Sequence, residues 1–404
     1  MSSYMDVPPA FQGRQLRSLQ LEDLENSGPE KHFTDVLSPF IEVNYNKNIL
    51  AVGSANKILF LKLNRNAEGE QKFEIIQTVD ASTLKIVVVN ATKDIGAAWN
   101  ERYQKLISWD VCGTYAIWMQ SDIKKEWHAP RRHKAPSRVR TIRWSPDNSK
   151  TAILTMDGFL FTTDLYGERI WGRELENSEP TCCEWTSNDE IIVGLAGGIV
   201  TVYNKEGQQL LGLGLNCYED QIRRSGPSDV AKIQHWHPIL KEQITLGSSK
   251  PLHIINRPQL AIIYKNGAIR LSKNLQDLEP FTLTCNITPF LARWSPDGSC
   301  IVIIGLNEVS ENTEVIFLSA FGNILGVYVA GVLDDFFLNS IRAFAWDFSG
   351  EMIYFGVLYR LFVGRLTAGF EADQEHHGNP NEKTTLVARV ETDGLLGTQG
   401  NRRL

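Results

Sequence analysis

The sequence predicts an all-β chain folded as a seven-bladed β-propeller with short non-propeller termini. Three observations carry this. An aromatic followed by a short polar turn recurs along most of the chain, β-type alternation with tight hairpin turns surrounds each recurrence, and helical periodicity is hard to find over any comparable length. Six copies are plain: Ala98-Trp99-Asn100-Glu101, Arg143-Trp144-Ser145-Pro146-Asp147, Glu184-Trp185-Thr186-Ser187-Asn188, His235-Trp236-His237-Pro238, Arg293-Trp294-Ser295-Pro296-Asp297-Gly298 and Ala345-Trp346-Asp347-Phe348-Ser349-Gly350. A seventh, weaker copy surrounds Tyr45. The aromatics at 45, 99, 144, 185, 236, 294 and 346 are separated by 41 to 58 residues. Two of the intervals fit a four-stranded blade of roughly 40–45 residues, and loops absorb the excess in the others.

The third unit shows the internal plan. Val139 to Trp144 alternates, Pro146-Asp147-Asn148 turns, Lys150 to Thr155 forms the next strand, and Asp157-Gly158 supplies a tight hairpin. Phe159 to Asp164 continues, Tyr166-Gly167 turns again, and Arg169 to Arg173 is the outermost strand. Central hairpins recur at Gly197-Gly198, Asn266-Gly267 and Cys112-Gly113. A lone four-stranded sheet exposes two faces, so a closed ring is the arrangement that buries them, and the repeated indoles fill the gaps between blades. The ring is expected over 33–367. Residues 1–32 form an N-terminal segment and 368–404 a flexible tail; either Leu16 to Leu21 or Lys383 to Val390 supplies the strand that completes the last blade.

Composition narrows the function. With 41 Lys+Arg against 47 Asp+Glu, a net charge of −6 and 43% hydrophobic residues, the chain reads as an ordinary globular protein, and mild acidity argues against nucleic acid as a partner. Ile324 to Leu333 is the longest nearly apolar run, about half of a membrane-spanning helix. Six cysteines without a Cys-x-x-Cys pair and an N-terminus lacking a secretory pattern point to the cytoplasm.

Trp99-Asn100-Glu101-Arg102-Tyr103-Gln104-Lys105-Leu106, then Gly113 and Ile117-Trp118-Met119, resembles the second blade of one WD-repeat group. That group comprises the complex A intraflagellar transport subunits that begin with a WD-repeat propeller, and the related tubby-like proteins that carry WD repeats. The likeness continues through Val139 to Trp144, Asp157-Gly158, Gly167 to Gly172 and, more loosely, Leu215-Asn216-Cys217, and covers about residues 40 to 367. It implies a WD-repeat scaffold, a subunit or fragment of the retrograde intraflagellar transport complex, docking to other protein subunits at the cilium or flagellum and its base. Members of the group are longer than this single ring.

No catalytic signature is present: neither Gly-x-Gly-x-x-Gly, a Walker loop, Gly-x-Ser-x-Gly nor His-Glu-x-x-His occurs, and no catalytic residue, metal or cofactor is assigned. Trp-Ser-Pro-Asp-Gly at 294 to 298 also resembles propellers attached to serine peptidases, without a hydrolase domain after it. His235 and His237 have a spacing that two metal ligands use, with no third ligand to complete a site. Cys182 and Cys183 point to opposite faces if they lie in a strand. Lys124, Lys125, Arg131, Arg132, Lys134 and Arg138 form the densest basic run, suited to an acidic protein or an anionic lipid surface, while Arg140 and Arg143 sit on the strand leading to Trp144. Insertions around Pro238 to Gln259 and Asn307 to Asn312, and the acidic-apolar Asp334 to Phe337, are further places for recognition. The competing classes are a propeller hydrolase or lyase, which needs inward-facing charge at the channel, and a substrate receptor of a ubiquitin ligase.

Overall fold

The computed structural model describes residues 14–23, 37–54, 57–65, 71–80, 96–110, 112–129, 131–175, 179–214, 228–237, 257–330, 341–347, 350, 352–357 and 360–370. Among these residues the strands fall into seven antiparallel sheets, and the fold is the expected all-β propeller. The innermost strands are Leu37–Asn44, Gly96–Asn100, Val139–Trp144, Pro180–Trp185, Val230–His235, Thr288–Trp294 and Ile341–Trp346. Each neighbours the next, and the last neighbours the first. We number the sheets one to seven in that order.

The seventh sheet is completed from the other end of the chain. Arg14–Asp23 pairs antiparallel with Arg360–Phe370, so one sheet holds strands from both ends of the ring. The expected limits therefore shift: residues 14–23 belong to the last sheet, and its third strand runs to Phe370, inside the segment read as a tail. Lys383 to Val390, Asp334 to Phe337, Leu215 to Cys217 and most of the Pro238 to Gln259 insertion lie outside the described residues. Asn307 to Asn312 is a hairpin end, with the two asparagines paired across it.

The apolar side chains sort into seven buried clusters, each drawn from two adjacent sheets. Trp185, 1% exposed, packs with Ile153's neighbours Ala152 and Leu154 of the third sheet and with Val193 of its own. Cys182 and Cys183 fall in different clusters, on opposite faces of the fourth sheet. Burial of this kind, at about 25 cal/mol per Å² of apolar surface, is what joins sheets that would not be stable singly.

Indole hydrogen bonds give the register between sheets. Trp99 donates to the Glu42 carbonyl at 3.0 Å, Trp144 to Ala98 at 3.1 Å, Trp185 to Arg143 at 3.1 Å and Trp294 to Gln234 at 3.2 Å. In all four of these steps the acceptor is the residue just before the equivalent position in the preceding sheet. That rule corrects two assignments: Val43, not Tyr45, is the first sheet's equivalent, and His235, not Trp236, is the fifth's. Strand pairing agrees, since Val43 faces Leu50 as Trp99 faces Leu106. Tyr45 lies one turn on, where burial pushes its phenol well above the ordinary range. Trp236 donates instead to the Pro296 carbonyl of the sixth sheet at 3.0 Å and carries the Arg257 guanidinium 4.4 Å from its ring.

The Ser-Pro-Asp motifs are turn staples. The Asp147 carboxylate accepts from the hydroxyls of Ser145 and Ser149, both at 2.6 Å, and Asp297 repeats this with Ser295 and Ser299 at 2.6 and 2.7 Å. Ser295 is thus committed to its own turn. Burial works to raise the Asp147 pKa, but the serine hydrogen bonds outweigh it and hold the carboxyl below the ordinary range. A depressed carboxylate contributes stability above its unfolded pKa of about 3.9, and that contribution is lost as pH falls through the folded value. Asp147→Asn is therefore expected to lower stability at pH 7 by about 1 kcal/mol, with the gap to the parent closing in acid; denaturant melts across pH read it directly.

Candidate functional site

Turns joining the first to the second strand, and the third to the fourth, emerge on one face of the ring. The central hairpins and the links between sheets emerge on the other. Gly267 shows how tight the second face is: its φ is +80°, and a Cβ there would stand 1.9 Å from the Cys285 carbonyl oxygen. The first face is stitched from sheet to sheet. Tyr45 N–H donates to the Glu101 carboxylate at 3.1 Å, Asn100 to the Asn148 carbonyl at 2.7 Å, Lys105 to Leu165 at 2.9 Å and Trp171 to Lys205 at 2.7 Å.

This topology distributes the basic run. Lys124 and Lys125 lie in the third-to-fourth turn of the second sheet, on the first face, where Lys47 approaches Trp127. Arg132–Lys134 is a short outer strand paired with Thr114 to Ala116, so Arg131 and Arg132 sit on the rim. Lys134 donates to the Cys112 carbonyl at the opposite face, and Arg138 lies in the link to the third sheet. Lys124, Lys125, Arg131, Arg132, Lys134 and Arg138 thus form a band along the outer edge of one blade and do not converge on a point.

Two ion pairs join charged residues of the innermost strands. One residue before the indole position on the innermost strands stand Glu42, Ala98, Arg143, Glu184, Gln234, Arg293 and Ala345. Arg143 Nε is 3.1 Å from Glu184 Oε2, between adjacent sheets. Arg293 forms a two-pronged ion pair with Glu42, joining the sixth sheet to the first past the seventh, where Ala345 leaves room. Burial raises the Glu184 pKa, with Arg143 pulling the other way; burial opposes the charge of Arg293 too, but Glu42 holds it above its ordinary range. Four charges that could serve a channel enzyme are spent on one another, joining sheets.

His235 and His237 stack with ring centroids 4.5 Å apart, and His237 Nε2 lies 3.2 Å from the Trp185 carbonyl oxygen. Among the described residues no group of three His, Cys, Asp or Glu gathers as a metal site, and no helix is long and apolar enough to cross a membrane.

The surface feature that sequence reasoning missed is a cleft at the outer junction of the second and third sheets. Ile117, Met119, Arg131 and His133 form one wall, and Asp164, Tyr166 and Glu168 the other. Arg131 comes from the basic band and pairs with Glu168 at 3.2 Å. No motif announces the site, because its walls come from three separated segments.

Residues 38–366 match a family described as WDR35/TULP4 N-terminal. The chain is 27% identical over 234 residues to WD repeat-containing protein 35 of Rattus norvegicus, covering 56% of this chain and 19% of that protein. To the Homo sapiens protein of the same name it is 26% identical over 266 residues, 64% of this chain and 21% of the relative. Tubby-related protein 4 of Homo sapiens is 26% identical over 289 residues, 66% of this chain and 18% of the relative. The chain spans about a fifth of the length of these curated relatives. The crystal structure of the C-terminal WD40 domain of Sif2 superposes with a TM-score of 0.56 at 12% identity, over 86% of this chain and 99% of that one, which speaks for the fold alone.

Proposed function

Since the chain belongs to the WDR35/TULP4 N-terminal propeller family, we infer that it is a non-catalytic docking platform within a multiprotein assembly. The observation that carries this reading is where the charge goes. Glu42, Arg143, Glu184 and Arg293 of the innermost strands are paired with one another, whereas the densest cationic band lies along the outer edge of the second sheet. Strands and channel serve the ring, and turns and rim serve partners.

The finer reading follows from the resemblance in the second and third blades: a subunit of the retrograde intraflagellar transport complex, acting on the cytoplasmic side at the cilium or its base. Affinity capture of the tagged native protein from ciliated cells tests it. Recovery of other complex A subunits is the expected result, and a different stable assembly in their absence rejects the ciliary role while leaving the platform reading intact. An enzyme would instead need a free acid, base or nucleophile in the channel, and the charges at the belt are engaged.

A further inference from the structure

Sheets of a propeller diverge outward, so the space between neighbours has to be filled by larger side chains toward the rim. At the junction of the third and fourth sheets Trp171 does this. Its indole donates to the Lys205 carbonyl and lies on Gly207, where a Cβ would come within 2.6 Å of the ring. One junction earlier His133 holds the corresponding place on Gly167, where a Cβ would come within 2.5 Å of the imidazole. The imidazole stacks on Tyr115 with centroids 5.1 Å apart and stays at the base. An imidazole is smaller than an indole, and the cleft of about 420 Å³ described above opens beside it.

The walls are prepared for a peptide. Met119 and Tyr166 supply apolar surface above the buried Ile117, and Tyr166 is 62% exposed with the Lys105 ammonium 4.0 Å from its ring centroid. Asp164 is engaged within its turn, accepting from the N–H groups of Tyr166 and Glu168 at 2.8 and 2.9 Å. The Arg131 to Glu168 pair is open to water, with 72% and 61% of the two side chains exposed, and such pairs contribute little in place. Arg131 therefore exchanges partners at small cost. Along the blade edge that carries the cleft, residues 121–138 hold six basic side chains against Asp122 and Glu126; Arg131 lines the cleft, opposite Asp164 and Glu168, and the others flank it toward the two faces.

We propose that this cleft docks a short acidic segment of a partner protein, with one aliphatic or aromatic side chain seated between Met119 and Tyr166 and a neighbouring carboxylate on Arg131. The proposal rests on the platform reading and names the chemistry of one partner. The volume suits an anchor side chain and its flanks, and the basic band attracts the acidic flanks and suppresses basic competitors.

The next junction supplies the decisive variant: His133→Trp sets the larger side chain used there at the base of the cleft and narrows it. Random short peptides displayed on phage are selected on the full-length protein and counter-selected on full-length His133→Trp. The expected consensus is an aliphatic or aromatic residue flanked by Asp and Glu. A selected peptide, labelled and followed by fluorescence anisotropy, is expected to bind at least about tenfold more weakly to His133→Trp and to Arg131→Glu, with affinity falling at high salt. Tyr166→Ala, at an exposed position, gives the same loss without narrowing the cleft and covers the case in which His133→Trp does not fold. Peptides that bind the parent and all the variants alike, a basic or uncharged consensus, or no selected peptide at all would overturn the proposal. So would phosphatidylserine vesicles bound equally by the parent and His133→Trp with no peptide enriched, which assigns the band to a membrane. A protein that captures its assembly but selects no acidic peptide removes only the cleft, and the platform reading stands.

Discussion

Trp185→Ala is expected to destabilise the protein by about 3–5 kcal/mol, the range for truncating a fully buried Trp. The indole is 1% exposed, sits at the junction of the third and fourth sheets, and donates to the Arg143 carbonyl at 3.1 Å. Substitution empties the junction and also strips the carbonyl of its partner. Trp185→Phe separates the two effects, keeping most of the ring and losing the hydrogen bond. Trp346 is as deeply buried, but its Nε1 has no hydrogen-bond partner among the described residues. Trp346→Phe should therefore cost less than Trp185→Phe, by about 1 kcal/mol, the net contribution of one hydrogen bond. Urea melts of the variants measure the difference, and equal costs would count against the assigned register.

Glu42→Ala is expected to cost about 2 kcal/mol, less than for a fully buried pair because a third of the Arg293 side chain reaches solvent once its counter-charge is lost. The pair links the first and sixth sheets, so its loss removes a tie across the seventh. Exchanging the two, as Glu42→Arg with Arg293→Glu, restores the charge pairing and should recover part of the loss. Removing both charges together should cost less than the sum of the single variants, since no lone charge remains. A double-mutant cycle with no coupling between the two positions would show that the bridge contributes nothing to holding the ring.

The part of this fold that can be read along the chain is the part that repeats. Trp99, Trp144, Trp185, Trp294 and Trp346 are large, apolar and set before polar turns, so their burial between sheets follows from size and spacing. Val43 and His235 occupy the same position without the same chemistry, and the aromatic next along, Tyr45 or Trp236, draws the eye away from them. The Glu42 to Arg293 pair joins positions 251 residues apart, and no local pattern carries that information. The basic run was legible as composition. Its spread from one face to the other follows from antiparallel topology, which places a third-to-fourth turn and a sheet-to-sheet link at opposite ends of the blade. The cleft was illegible for a different reason. Its walls come from three segments, with His133 at its base where the next blade has Trp171, and bringing them together needs the register of the outer strands.

The central physical claim is that the sheets are stable only as neighbours in a closed ring. Native-state hydrogen exchange on Trp185→Ala tests it most directly, by following amides of the innermost strands Leu37–Asn44 and Thr288–Trp294, remote from the substituted junction. If the ring is one cooperative unit, their protection falls together with that of Pro180–Trp185, by the same free energy as the global stability. Unchanged protection in the first and sixth sheets, with loss confined to the third and fourth, would contradict the claim.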